Sequence, residues 1–338
     1  MIKTLLQQWE SHRAHHQAVL CSVIQWKGSV PRKDYPMMLV LDDGSILGTI
    51  GGGSMELKIT RSAIEKMDNT TPAVFDFDMT GDSVHADVGL CGGTLTVLVE
   101  SFTPDILSFY RELLDQIEIH PKRMVLLSVA PDSPVHRQFI DSLGDDIEAD
   151  PAIQDRIRNI FEAQRSRGFQ HESNHSLVWQ PFTPPAIHIF GAGHVGQSVA
   201  DLAYFNNLEV MVYDDRHELM TPERFPYAER VSLEFPINRE ALPGIPDQDF
   251  VLIASREHKH DRELLSALLQ TPQAYIGLVS SARKWKILSE SLLQEGFEQS
   301  LIDQVHAPVG MDINAQTVPE IAISIVSEMI AYYRKNLS

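Results

Sequence analysis

Two glycine-rich stretches carry residue types able to hold an anion. In "IFGAGHVGQS" (189–198), Gly191, Gly193 and Gly196 have the spacing G-x-G-x-x-G between a strand-like run and a helix-like run. The first glycine permits a tight turn, the second lets a phosphate approach the backbone, and the third lets helix pack on sheet. His194 opens the helix, whose first N–H groups have no intrahelical acceptor and favour an anion. Asp214, 18 residues after Gly196, falls near the position of an acid that reads a ribose. Arg216 is either a phosphate ligand, as in NADP sites, or a surface arginine paired with Asp215 or Glu218. The second stretch is "IGGGSMELKI" (50–59), in which Gly51, Gly52 and Gly53 can present consecutive N–H groups as an anion nest. Arg32, upstream in "GSVPRK", has the planar fork that meets a phosphate. The alternative is a structural hairpin bend with Arg32 and Glu56 as an ion pair.

Further polar groups follow later strands. "SREHKHD" (255–261) holds His258, His260 and Asp261, which are metal ligands or plain loop polar residues. "SSARK" (280–284) holds Ser280, Ser281 and Arg283, suited to a phosphate oxygen. No Ser/His/Asp order or zinc-protease motif supports hydrolysis.

The elements that position these groups read as follows. "QAVLCSVIQW" (17–26) suits a strand, and "MMLVLDDGSILGTI" suits a hairpin turning at Asp43–Gly44. Residues 54–67 carry Ile59, Ile64 and Met67 at roughly helical spacing. "TPAVFDFDM" and "GGTLTVLVESF" read as strands, "PDILSFYRELLDQI" (104–117) as a helix, and "KRMVLLSVA" (122–130) as a strand. Residues 131–183 show a polar, partly helical segment and one strand candidate, "SLVWQPF". From Ala186 the strands "AIHIF", "EVMVYDD", "DFVLIAS" and "AYIGLVS" alternate with helical sequence, which predicts a doubly wound parallel sheet. Thr317 and Glu320 fit a capping box for a final helix, with Pro319 in its first turn.

The expected fold class is α/β: a mixed α/β domain over 1–180, a Pro-rich linker at 181–185, and a Rossmann-like domain over 186–338. A length of 338 residues fits two domains, and 43% apolar with 22% charged residues is ordinary for a globular chain. The net charge of −18 argues against a general nucleic-acid binder. No apolar run is long enough to span a membrane. Only Cys21 and Cys91 are present, which suits a reducing cytoplasm and excludes a four-cysteine metal site.

Seven motifs then occur in order: "GSVPRKDYPMMLVLDDGSILGTIGGGSMELKI", "GLCGG", "IFGAGHVGQSVADLA", "VYDDRHELMTPERFP", "HKHDRELLSALL", "AYIGLVSSARKWKIL" and "APVGMDINAQTVPEIAISIVSEMI". With them the chain resembles the xanthine dehydrogenase accessory family, XdhC/CoxI. The resemblance implies a cytoplasmic maturation chaperone, usually dimeric, rather than a catalyst. It would bind molybdenum cofactor as molybdopterin, protect it, help its sulfuration by a cysteine desulfurase, and deliver it to a xanthine dehydrogenase-type molybdenum hydroxylase. Glu56 would then hydrogen-bond a pterin amino group, or cap its own helix. Cys91, beside Gly92, would be a thiol for molybdenum or sulfur, or else a buried small apolar residue. Many relatives carry cysteine after the triple glycine; Ser54 stands there in this chain, which puts direct metal ligation at that loop in doubt. NAD(P) or another nucleotide in the Rossmann half, with the chain an oxidoreductase, is the alternative.

Overall fold

The computed structural model describes the chain apart from residues 1, 31, 33–34, 68–70, 80–91, 117–122, 130–132, 143–144, 149–150, 152, 156, 159–168, 171–175, 180–184, 238, 243, 272 and 337–338. The chain divides into two compact units, Met1–Phe182 and Thr183–Ser338.

In the first unit, α1 (Ile2–His12) precedes β1 (Ala18–Gly28), β2 (Met37–Leu41), β3 (Ile46–Gly48) and α2 (Gly53–Glu65). Then come β4 (Ala73–Asp78), β5 (Gly93–Ser101) and α3 (Pro104–Gln116). An antiparallel sheet runs β3-β2-β1-β5-β4. Both of its faces are buried, because successive side chains point to opposite sides of a pleated strand. Leu20, Leu39 and Leu98 join the side chains of α1 and α3 on one face. Val19, Cys21, Val40 and Val97 meet Met55, Ile59 and Ala63 of α2 on the other. This is why β1 and β2 read as continuous apolar runs rather than as alternating ones.

A second antiparallel sheet, ordered β7-β6-β9-β8, comprises β6 (Met124–Ser128), β7 (His136–Ile140), β8 (Phe169–Gln170) and β9 (Ser176–Trp179). The "SLVWQPF" strand exists, but β7 and β8 carry no clear signal in the sequence. The β7 sequence, "HRQFI", is half-buried along most of its length and is held by pairing to the apolar β6.

In the second unit, β10 (Ile187–Phe190), β11 (Val210–Asp214), β12 (Glu229–Ser232), β13 (Phe250–Ile253), β14 (Tyr275–Leu278) and β15 (Val305–His306) form one wholly parallel sheet, ordered β12-β11-β10-β13-β14-β15. Helices α4 (His194–Phe205), α5 (His258–Leu268), α6 (Ala282–Gln294), α7 (Gln299–Ile302) and α8 (Val318–Asn336) complete the unit. Two apolar clusters, one built around Ile189 and Val212 with α4 and α8, the other around Val251 and Ile253 with α5 and α6, bury the sheet. The doubly wound Rossmann-like sheet predicted from Ala186 onward is thus present. β12 gives no strand signal because "ERVS" is polar and largely exposed. The chain moves outward from β10 to β12 and then returns to β13, so the strand order reverses beside β10. Ligands of such sheets bind at the carboxyl ends of the strands at this point.

One residue departs from the helical reading of 54–67. The buried face of α2 is Met55, Ile59, Thr60 and Ala63, whereas Ile64 is 42% exposed. Ile59→Ala is therefore expected to lower stability by about 2–5 kcal/mol, as truncation of a fully buried branched side chain does. Ile64→Ala should change it by less than about 0.5 kcal/mol. Urea unfolding of both variants measures the contrast.

Candidate functional site

The glycine turn after β10 is built by close approach. Gly191 has φ +129°, and a Cβ on it would lie 2.3 Å from the carbonyl oxygen of Ala254, beyond β13. A Cβ on Gly196 would lie 1.8 Å from the carbonyl oxygen of Gly191, so only glycine lets α4 seat against the turn. Gly193 differs: its φ is −69°, and a Cβ there would meet nothing within 4 Å. Gly193 is also the N-cap of α4, and no side chain caps this end. The first N–H groups of α4 and the open space before Gly193 make this an anion-receptive end. His194, the first helical residue, is exposed.

Asp214, at the end of β11, is buried under this turn. Its Oδ2 accepts from the backbone N–H of Ala192 at 2.6 Å and from Nη2 of Arg216 at 2.7 Å. Its Oδ1 accepts from the backbone N–H and from Nε of Arg216, at 2.9 and 2.8 Å. Arg216 thus pairs chiefly with Asp214 rather than with Asp215, which is 4.0 Å away. Burial pushes the Asp214 carboxyl up, but the Arg216 fork and the Ala192 N–H outweigh it and hold the group below the usual carboxylate range.

Two cations that sequence reasoning did not single out stand in the same crevice. Arg224 donates from Nη2 to the carbonyl of Ala192 at 2.9 Å, while its buried Nε meets no acceptor among the described residues. Lys284 of α6 pairs with Asp261 of α5, whose other oxygen accepts from Ser255 Oγ at 2.6 Å. These residues join the end of β13 to the first turns of α5 and α6. The motifs "TPERFP" and "SARKWK" contain both cations, but no spacing rule links Arg224 to a turn 32 residues earlier.

The remaining candidates separate. Ser280 Oγ is buried without a partner among the described residues. Ser281 caps α6, accepting from the Lys284 N–H at 3.2 Å, and Arg283 is exposed. His260 is buried and stacks on Phe235 with ring centroids 3.6 Å apart, while His258 is exposed. They and Asp261 do not converge as metal ligands. The one convergent His/Asp group among the described residues is His16, Asp42 and Asp43, at the hairpin turn.

The first unit's glycine loop follows β3. Gly51, Gly52 and Gly53 all have positive φ, at 138°, 75° and 71°. Glu56 caps its own helix: its Oε2 accepts from Thr49 Oγ1 at 2.5 Å, from Ile50 N–H at 3.0 Å and from Gly52 N–H at 3.1 Å. Arg32 donates to the Thr49 carbonyl at 3.4 Å, so it lies against the same loop. Gly53 and Ser54 are exposed, and Cβ atoms on Gly52 and Gly53 would meet nothing within 4 Å. Gly92 is exposed with open space around it, and Cys91 lies outside the described residues. Cys21 is fully buried; burial, with the nearby Glu100 charge, pushes its thiol up and keeps it protonated.

Fold and site together define a protein whose second unit is a Rossmann domain with an uncapped glycine turn and a cationic rim. A model of the XdhC Rossmann domain matches residues 187–329, and one of the XdhC and CoxI family matches residues 11–78, together more than half of the chain. The chain belongs to the XdhC/CoxI family. It is 27% identical over 313 residues to the Escherichia coli protein YqeB, which takes in 92% of this chain but only 42% of that protein's length. It is also 27% identical, over 98% of its length and 96% of the relative's, to a Bacillus subtilis protein named as a probable xanthine dehydrogenase subunit. A crystal structure from Bacillus halodurans, described as a xanthine dehydrogenase, superposes with a TM-score of 0.78 at 25% identity, covering 98% of this chain and 96% of that one. Among the described residues, no helix is long and apolar enough to cross a membrane.

Because the folded-state pKa of Asp214 is depressed, its contribution is complete above the unfolded carboxylate value of about 3.9 and is lost as pH falls through the folded value. Thermal melts from about pH 7 down to 2 should show the native chain losing stability below about pH 4. Asp214→Asn should start lower at neutral pH and lose less in that acid window.

Proposed function

We propose that this chain is an accessory protein of a xanthine dehydrogenase-type molybdenum hydroxylase and carries molybdopterin as its cargo. On this reading it protects the cofactor, holds it for sulfuration by a cysteine desulfurase, and hands it to the hydroxylase. The observation that carries the proposal is the pair of glycine loops, each opening a helix whose N-cap residue is a glycine with no side chain of its own to cover the helix end. The family and the names of the B. subtilis and B. halodurans relatives supply the link to xanthine dehydrogenase.

The residues fit the phosphate end of such a cargo. Open space lies in front of Gly52, Gly53 and Gly193. The N–H groups of the first turn of α4 would meet the phosphate, with Arg224, which bonds the Ala192 carbonyl of the same turn, supplying positive charge. The molybdenum end finds less: Cys21 is buried and protonated, and Ser54 offers a hydroxyl where a thiolate would bind a soft centre. Among the described residues, the groups that fit the cargo are therefore those that meet its organic part. Among the described residues, this chain's own chemistry is binding and shielding rather than ligation of the metal.

Gly193→Asp separates binding from folding. Backbone φ at Gly193 is ordinary and its Cβ position is open, and aspartate is a favourable N-cap. The variant should fold as well as the native chain yet place a carboxylate where the phosphate would sit. After anaerobic loading with molybdenum cofactor, pterin retained on the native chain is measured as its fluorescent oxidation product. The native chain should retain it, and Gly193→Asp should bind at least about tenfold more weakly. Absence of pterin on the native chain, or full retention by Gly193→Asp, would sink the proposal.

A further inference from the structure

Asp214 decides what the β10 turn refuses. In dinucleotide-binding sheets, the acid at the end of the neighbouring strand accepts hydrogen bonds from ribose hydroxyls. A carboxylate has about four acceptor positions. In this chain all four are occupied from within: by the N–H of Ala192, the N–H of Arg216, and Nε and Nη2 of Arg216, at 2.6, 2.9, 2.8 and 2.7 Å. The carboxylate is 4% exposed as a residue, and the half-buried guanidinium lies against it. The Nε–Nη2 edge of Arg216, which would fork onto a ribose 2′-phosphate, is the edge already engaged. Beyond it, Asp215 pairs with Arg256 at 3.4 Å. Asp215 follows β11 and Arg256 follows β13, and β10 lies between those strands. That ion pair therefore links the segments that follow β11 and β13 across the end of β10.

We propose that Arg216 is a specificity-determining residue: by engaging Asp214 it makes the Rossmann turn reject NAD- and NADP-type dinucleotides while leaving the α4 N-terminus open to a phosphate. This rests on the reading that the turn takes the cargo's phosphate. Asp214 acts as a positioning residue for the turn, fixing Ala192, and not as a ribose reader. The glycine fingerprint is present without the recognition that usually accompanies it, because the residue two positions after the acid is an arginine able to fold back on it.

The test is fluorescence titration of the full chain with NADH and with NADPH, alongside pterin content on the same preparations. Neither dinucleotide should saturate the native chain up to about 1 mM. Arg216→Ala vacates three of the four positions on Asp214 if its backbone N–H also moves away, and two if it does not. NADH affinity should then rise at least about tenfold. Arg216→Lys, which keeps the charge but loses the fork, should give a smaller gain in the same direction. Asp214→Asn on the Arg216→Ala background should cancel the gain. Micromolar binding of either dinucleotide by the native chain would overturn the inference, as would no gain in a cooperatively unfolding Arg216→Ala or Arg216→Lys. The two readings fail separately. Dinucleotide rejection without pterin retention removes the cargo, and pterin retention alongside native NADH binding removes the role of Arg216.

Discussion

The carboxylate of Asp214 is the joint on which the second unit's crevice depends. It lies at the end of β11, yet it fixes the turn that leaves β10 and restrains the arginine two residues downstream. A buried carboxylate is costly unless its acceptor positions are filled, and here the protein's own donors fill them. The turn is consequently held in one shape before any ligand arrives. Gly191 and Gly196 complete that shape by admitting contacts that no Cβ would allow. Gly193 stands apart from them, since it faces open space and leaves the helix end uncapped.

The first unit solves a similar problem with a different acid. Glu56 reaches back from the first turn of α2 and gathers Thr49, Ile50 and Gly52 onto one oxygen. Three successive glycines at positive φ would otherwise be among the most mobile residues in the chain. In both units, then, a carboxylate from outside the glycine run fixes its backbone, and the described glycines face open space at Gly52, Gly53 and Gly193. That is a suitable arrangement for an anion recognised mainly by backbone, and it explains why a chain of net charge −18 can present local anion-receptive ends.

Charge around the second unit's crevice is matched in the same way. Arg216, Arg256 and Lys284 are each paired with an aspartate at a strand end or in the first turn of a helix. Such pairs position side chains more than they stabilise the fold, because desolvation offsets much of the attraction. Arg224 is the least matched of the group, with one buried nitrogen lacking an acceptor among the described residues.

Much of the scaffold was legible from residues alone. Apolar strands alternating with helices fixed the parallel sheet of the second unit, and the G-x-G-x-x-G spacing located its turn, because both depend on local periodicity and backbone freedom. The hairpin at Asp43–Gly44 and the final helix were legible for the same reason. What tertiary structure decided were the pairings at long sequence separation. The strands β7 and β12, weak in apolar signal, are held by pairing to β6 and β11 and by the packing of Ile140 and Val231 into apolar clusters. Ile64 faces outward although its spacing matched the buried face. Arg224 and Lys284 come to the crevice from distant segments. Above all, the sequence placed an acid where a ribose reader would stand, and only the fold showed its acceptor positions already filled. Local chemistry sets which groups are available; three-dimensional proximity sets which of them are left free to meet a ligand.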